Sequence, residues 1–313
     1  MRIIVLDNPK KVKFFIKRKI AMNTDLFNIN ENNILSIHKG NEVIRGGNTY
    51  SLHAQKLANF IYYHAQKNKI FIDNEKSYFE LPVSEVSKQM GLEKTKSYVA
   101  NIKAALTELD TPFDVYNSAI LQALSEKGQE LLWTRISLLN KAKYFKRGKV
   151  AYISGEVSTE MQLIIRKSST KSGNFTKLIL NRSLSNLKSK HSYVLYEYIE
   201  SFKTHPIYKN GIYLDKKRLD KMFNLRDIKK YKYFSSFLPL LERCIADLNN
   251  NSDKYVQLIV DKPNKAYKII KLPIPASGSK KDLPTKYIEK QVNTEYIEQD
   301  PYNIQGMFNE LKE

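Results

Sequence analysis

The feature that most constrains this chain is a twelve-residue block that occurs twice without a gap. Leu81-Pro-Val-Ser-Glu-Val-Ser-Lys-Gln-Met-Gly-Leu92 lines up on Leu214-Asp-Lys-Lys-Arg-Leu-Asp-Lys-Met-Phe-Asn-Leu225. Leu81/Leu214, Lys88/Lys221 and Leu92/Leu225 are identical, and Val86/Leu219 and Met90/Phe223 are apolar in both. Gly91 faces Asn224, and Gly and Asn are the residues that most readily adopt the left-handed conformation closing a helix. Each block therefore predicts a short helix stopped by a tight turn, the first half of a helix-turn-helix. At 313 residues the chain is long enough for two domains, each burying its own core.

The surroundings of the blocks recur as well. Ser51 to Gln66 carries a helical stripe of Leu57, Phe60 and Ile61, and Ser189 to Phe202 matches it with Leu195, Tyr198 and Ile199 at a constant offset. Tyr78–Leu81 reads as a strand leading into the first block. After the blocks, Lys94 to Leu109 places Val99, Ile102, Leu106 and Leu109 on one helical face. A helix from about Ser235 to Asn250 does the same with Leu241, Ile245 and Leu248. Trp133–Leu139 and Val150–Gly155 alternate as strands around the basic segment Lys141–Lys149, and Tyr255–Val260 and Ala266–Leu272 form a hairpin around Asp261–Lys265. Upstream, Asn33–His38 and Glu42–Arg45 read as a strand pair about a Gly40-Asn41 turn that ends at Gly46-Gly47. Helix, strand, helix-turn-helix and hairpin is the order of a winged helix. The predicted fold is α+β, two tandem winged-helix domains related by internal duplication.

The predicted boundaries are a basic N-terminal arm at 1–30, a first winged helix at 31–165, a linker at 166–174, a second winged helix at 175–275 and an acidic, weakly ordered tail at 276–313. Met22 is an alternative start to Met1. The four-residue apolar run before Asp7 is too short for a signal peptide, and no apolar run is long enough to span a bilayer. A single cysteine, Cys244, cannot form an internal disulfide, which suits a cytoplasmic protein.

The net charge of +20 is unevenly spread: +12 over residues 1–180, +10 over 181–275 and −2 over 276–313. Both block-bearing halves are basic and the tail is not, so a polyanion is the expected partner. A Lys-rich composition (42 Lys against 10 Arg) inherited from an AT-rich genome is the competing source of the charge.

In a helix-turn-helix the second helix enters the major groove, so its outer face must be uncrowded. Opposite the first apolar stripe lie Lys94, Ser97, Ala100, Asn101 and Ala104, with Lys96 and Lys103 at the edges. Opposite the second lie Lys232, Ser235, Ser236, Pro239, Arg243, Ala246 and Asn250. Arg243 could fork onto a guanine and Asn101 could pair with an adenine. The loop cations Lys141, Lys143, Lys146, Arg147 and Lys149, and later Lys262, Lys265 and Lys268, are expected along phosphates or in a minor groove. The competing reading of each face and hairpin is an ordinary solvated surface.

Catalytic and cofactor signatures are missing. No Gly-Lys-Ser/Thr follows Gly40, Gly46 or Gly47, so there is no P-loop. His38, His53, His64, His191 and His205 form no His-x-His pair of a metal-dependent nickase, and one cysteine without a His pair excludes a zinc site. Glu289, Glu295, Glu298 and Asp300 lie in the tail and read as solvated. A binding protein without metal or cofactor is expected.

Leu52-His-Ala-Gln-Lys-Leu-Ala-Asn-Phe60, Lys190-His-Ser-Tyr-Val-Leu-Tyr-Glu-Tyr198 and Leu241-Glu-Arg-Cys-Ile-Ala-Asp-Leu-Asn249 resemble the plasmid replication initiators that bind repeated origin sequences (iterons). The likeness runs from Ile34 to Ile274 and is most specific in the Leu-Tyr-Glu helix and the Ile-x-x-Leu-Asn helix after it. It implies two winged helices gripping successive major grooves of double-stranded DNA, with monomers starting replication at direct repeats. It further implies dimers, formed through the first domain, that repress their own gene, and a host initiator and replicative helicase as partners. A tandem winged-helix repressor without initiator role, and more remotely a nickase or relaxase, are the alternatives. Direct repeats beside an AT-rich stretch near the gene favour the initiator, one inverted repeat over the promoter favours the repressor, and a metal-dependent nick favours the enzyme.

Overall fold

The computed structural model describes residues 35–45, 50–67, 78–115, 120–121, 124–125, 129–170, 175–180, 182–203, 211–225, 228–272 and 288–289. The expected arm at 1–30 lies outside them. Strand β1 (Ser36–Gly40) and the short helix α1 (Asn41–Arg45) precede α2 (Leu52–Lys67), and β2 (Tyr78–Pro82) leads into α3 (Val83–Gln89) and α4 (Tyr98–Asp110). A small antiparallel pair, β3 (Phe113–Val115) with β4 (Thr134–Ile136), comes before the hairpin β5 (Leu139–Arg147) and β6 (Val150–Val157). Helix α5 (Thr159–Thr170), β7 (Phe175–Ile179) and α6 (Arg182–Ser185) carry the chain to α7 (Lys190–Glu200). β8 (Ile212–Asp215), α8 (Lys216–Phe223), two 3-10 turns (Lys229–Tyr231 and Phe234–Phe237) and α9 (Leu238–Asn251) follow. The hairpin β9 (Val256–Asp261) and β10 (Ala266–Lys271) completes the second half, and β11 (Ile288–Glu289), the described part of the tail, runs parallel to β9.

The blocks fold as the sequence predicts, and alike. Gly91 has φ +70 and Asn224 has φ 51, so both helices close on a left-handed residue. Each closure is then sealed by the following leucine: the Leu92 amide donates to the Ser87 carbonyl (2.8 Å) and the Leu225 amide to the Asp220 carbonyl (3.1 Å). Gly91 has a second reason to lack a side chain, since a Cβ there would stand 3.2 Å from the Ser185 carbonyl of α6. Asn224 is exposed and tolerates its side chain.

In both halves the second helix of the helix-turn-helix also holds the start of the helix that precedes the block. Glu108 of α4 accepts from the Ser51 amide (2.5 Å) and hydroxyl (2.6 Å) at the start of α2. Asp247 of α9 accepts from the Ser189 amide (3.2 Å) and the Lys188 amide (3.1 Å) at the start of α7. Ser51 and Ser189 each accept from amides of the helix they open, so an acid and a serine together satisfy a helix start in both halves. In each half the block's first leucine pairs with the central wing strand: Leu81 with Ile153 and Leu214 with Tyr267. The three-stranded sheet β2-β6-β5 and the four-stranded sheet β11-β9-β10-β8 lie against α2–α4 and α7–α9, which makes each half a winged helix.

The described residues form two apolar cores, one drawn from Ile37 to Leu178 and one from Leu184 to Ile269. A buried polar cluster joins them. The Lys39 ammonium of β1 lies 2.8 Å from a Glu197 carboxylate oxygen of α7, with side-chain exposures of 10% and 3%. The Asn59 amide of α2 donates to Glu197 (2.6 Å) and to the Tyr193 hydroxyl (2.8 Å). Nearby, the Ser185 hydroxyl donates to the Gln89 carbonyl (2.7 Å) and the Lys56 ammonium to the Ser185 carbonyl.

Three expectations are corrected. Ser36–Gly40 does not hairpin with Glu42–Arg45; it pairs antiparallel with Phe175–Ile179, and Asn41–Arg45 is helical. Glu42–Arg45 would have offered a partner of at most four residues, whereas β7 offers a five-residue ladder. Arg166–Thr170, expected in the linker, continues α5, whose inner face is already set by the buried Met161 and Ile164 and whose start is capped by Ser158. Residues 171–174 lie outside the described chain. Trp133–Leu139 is not one strand: Thr134–Ile136 pairs with β3, and Leu138 is drawn under α4 by donating its amide to the Leu109 carbonyl (3.1 Å).

Candidate nucleic-acid interface

Along α9 the apolar stripe of Leu240, Leu241, Cys244, Ile245 and Leu248 is buried, leaving Pro239, Arg243 and Asn250 exposed and Ala246 half-buried on the opposite side. Pro239 sits in the first turn, where its missing amide hydrogen costs nothing. Helix α9 therefore starts at Leu238, and Ser235 and Ser236 stand in the 3-10 turn before it rather than in the helix as expected. Ser236 donates to the Tyr233 carbonyl (2.5 Å), and Ser235 and Lys232 are exposed. Arg243 folds back toward the helix start, its Nε donating to the Pro239 carbonyl at 3.1 Å. Among the described residues its guanidinium makes no salt bridge. Lys262 and Lys265 are exposed in the β9–β10 turn, which Asp261 closes by accepting from the Asn264 amide (3.3 Å) and side chain (2.9 Å).

In the first half Lys94, Lys96 and Ser97 precede α4, which begins four residues later than predicted; all three are exposed. Ala100, Lys103, Ala104 and Thr107 form the exposed side of α4. Asn101 is half-buried and donates to the Ser97 hydroxyl at 3.5 Å. Lys103 lies across the Tyr144 ring, its ammonium 4.2 Å from the centroid. The segment from Lys141 to Lys149, expected as a loop, is mostly strand β5, because Ala142 and Tyr144 turn inward and pack on the core while Lys141 and Lys143 stay out. Only Gly148-Lys149 forms the turn, with Gly148 at φ +61. Lys146 is exposed beside the tip, whereas Arg147 is held bidentately by Glu80 at 2.9 and 3.3 Å. Lys141 stands at a bulge far from the tip, 3.7 Å from Glu156. Lys268, expected in the second loop, lies in mid-strand on β10 with its ammonium 4.9 Å over the Tyr213 ring. The two wings thus present Lys146, Lys149, Lys262 and Lys265 nearest their turns.

The sequence reading passed over Lys229, Lys230 and Tyr233, all exposed in the turn between α8 and α9. Their signal was present: Lys-Lys-Tyr-Lys-Tyr interleaves cations with aromatic rings.

His191, at the start of α7, couples this face to stability. Burial, with help from the Lys190 and Arg243 cations, pushes its imidazole down to about 4. The unfolded chain binds a proton on this residue below about pH 6.5 and the native chain does not until about pH 4. The stability His191 contributes is therefore full above the unfolded value and lost as pH falls through that window. Burial lowers His38, His53 and His64 as well, so they act with the same sign. The urea midpoint is expected to drop between about pH 7 and about pH 4.5, and to drop less in His191→Gln. An equal drop in the variant would remove His191 from this account.

The family described as "Initiator Replication protein, WH1" matches residues 36–200. No curated protein matches in sequence. Fifteen chains of solved structures match in fold. One is a crystal structure of the Pi initiator protein in complex with iteron DNA, at 16% identity and a TM-score of 0.54 over 75% of this chain and 95% of that one. Among the described residues no helix is long and apolar enough to cross a membrane.

Proposed function

The chain belongs to the initiator replication protein family, and we propose that it starts plasmid replication by binding repeated origin sequences in double-stranded DNA. The observation that carries this reading is the repeated architecture: in each half a capped helix, a second helix with an exposed face of small and cationic residues, and a hairpin tipped by lysines. The Pi initiator, bound to iteron DNA, shares the fold across both halves, which supports the same mode of engagement here. Both winged helices read DNA by this account, Arg243 and Asn250 from α9, Ala104 and Lys103 from α4, with Lys146, Lys149, Lys262 and Lys265 along phosphates. The matching caps, Glu108 on Ser51 and Asp247 on Ser189, support an origin of the two halves by internal duplication.

By this reading the chain works by binding, while a host initiator and replicative helicase open and unwind the DNA. Repression of its own gene would use the same surfaces on a promoter site. Two reading helices on one face engage grooves about 34 Å apart, roughly 10 base pairs. A footprint over DNA flanking the gene is therefore expected to show about two turns protected per repeat, over several direct repeats. Protection of a single turn, or of one inverted repeat over the promoter alone, would overturn the initiator reading.

A further inference from the structure

The turn between α8 and α9 is longer than closure of the motif needs. Leu92 and Ile102 are ten positions apart, whereas Leu225 and Leu241, which occupy the same places in the second core, are sixteen apart. The first half closes the same helix-turn-helix without the extra residues. The added length includes Lys229-Lys230-Tyr231-Lys232-Tyr233.

This turn is rigidly built. Tyr231 is buried, with its ring 5.1 Å from that of Phe237. Phe234 stacks on Tyr267 at 4.2 Å, and the Tyr267 hydroxyl donates to the Phe234 carbonyl at 3.0 Å. Ser236 ties down the Tyr233 carbonyl through both its amide (3.2 Å) and its hydroxyl. Three aromatic rings therefore point inward and fix the backbone, and the fourth, Tyr233, is held out at 67% exposure. Its only ring neighbour among the described residues is the Lys232 ammonium, 5.7 Å from the centroid. Single exposed tyrosines are ordinary on a protein surface. This one is different in being pinned on both sides, in following the exposed Lys229, Lys230 and Lys232 in the chain, and in standing at the head of the 3-10 turn that leads into the amino-terminal end of the reading helix. Residues at that end meet base edges in a helix-turn-helix.

Resting on the reading of the chain as a DNA binder, we propose that Tyr233 is a further specificity-determining residue, its ring packing on the C5-methyl of a thymine in the major groove. Lys229, Lys230 and Lys232 meet the phosphates on either side. The methyl group is the apolar feature the major groove offers, and an aromatic face matches it. Insertion between base pairs belongs to wedges entering from the minor groove, the opposite side from a recognition helix.

The test uses the full chain and duplexes that the wild-type protein enriches from a random pool of about 25 base pairs, two turns with flanks. Each thymine of the enriched duplex is replaced in turn by deoxyuracil, which removes only the methyl group. Wild type and Tyr233→Phe are expected to lose roughly fourfold in affinity at one and the same uracil position, the worth of one buried methyl. Tyr233→Ala is expected to bind more weakly and to be indifferent to uracil there, with its melting curve unchanged. If Tyr233→Ala keeps the wild-type uracil profile, the ring does not read thymine and the inference falls. It falls also if Tyr233→Phe behaves as alanine, which would assign the contact to the hydroxyl. If the wild-type chain enriches no sequence at all, the DNA reading itself fails, a result distinct from either of these.

Discussion

Glu197→Ala is expected to lower the unfolding free energy by about 3–5 kcal/mol, the usual cost of stripping one partner from a buried ion pair. Glu197 accepts from the Lys39 ammonium and the Asn59 amide, and all three side chains belong to buried residues. Alanine strips the ammonium of its counter-ion, leaving it only the Asn59 carbonyl oxygen at 3.3 Å, and leaves the Asn59 amide donating to Tyr193 alone, in a site that is almost entirely buried. The double variant Lys39→Met with Glu197→Leu is expected to recover most of the loss, because it removes the stranded charge along with its partner. Urea unfolding of the four species of the cycle measures the coupling directly. A single variant that loses less than about 1 kcal/mol would show the pair to be solvated like a surface salt bridge. The cluster joins β1 and α2 of the first core to α7 of the second, so Glu197→Ala should also reduce cooperativity. Since α4 and α9 are carried by those two cores, the same cluster holds their spacing.

What the sequence made legible was local. Helix stripes such as Leu57-Phe60-Ile61 and Leu195-Tyr198-Ile199 are set by a period of 3.6, and both stripes are buried. The left-handed closures at Gly91 and Asn224 follow from residue type, and both take positive φ. The missed features depend on partners far along the chain. β1 finds its ladder in β7 across more than a hundred residues, and nothing in Ser36–Gly40 itself names that partner. Asn59 and Glu197 sit next to Phe60 and Tyr198 and look like the polar edge of each stripe. They are buried only because α2 and α7 meet there, at the same place in both stripes, so that the two residues face each other. The basic run from Lys141 misled for another reason. A wing strand with one face in solvent can be mostly lysine and still alternate, and the clue was the inward pair Ala142 and Tyr144. Among the candidate contacts, the sequence identified exposed cations well but could not show which were already engaged, as Arg147 is by Glu80.

Arg243→Ala is expected to remove about 1–3 kcal/mol of preference for one guanine while leaving binding to random DNA nearly unchanged, the signature of a bidentate arginine–guanine contact. The geometry favours a reader over a structural arginine. The carboxylate one turn on, Asp247, already accepts from the Lys188 and Ser189 amides and from the Asn251 side chain. Arg243 spends only its Nε, on the Pro239 carbonyl, which lays the side chain along the first turn of α9. That direction is the one helical side chains prefer, toward the amino terminus, and it is the end of a recognition helix that approaches base edges. Among the described residues no further hydrogen bond or salt bridge engages its two terminal nitrogens, and Pro239 and Ala246 on the same side of the helix are low residues that let it sit deep in the groove. Because the side chain is exposed, the variant should melt within about 0.5 kcal/mol of wild type. Affinity measured over a panel of single-base variants of the repeat decides the matter. A reader loses discrimination at one position, whereas a phosphate contact weakens every duplex alike and reduces the salt slope by about 1. An Arg243→Ala protein that keeps the wild-type preference at every base would leave α9 reading DNA, if it does, through Asn250 and the residues of its amino-terminal turn.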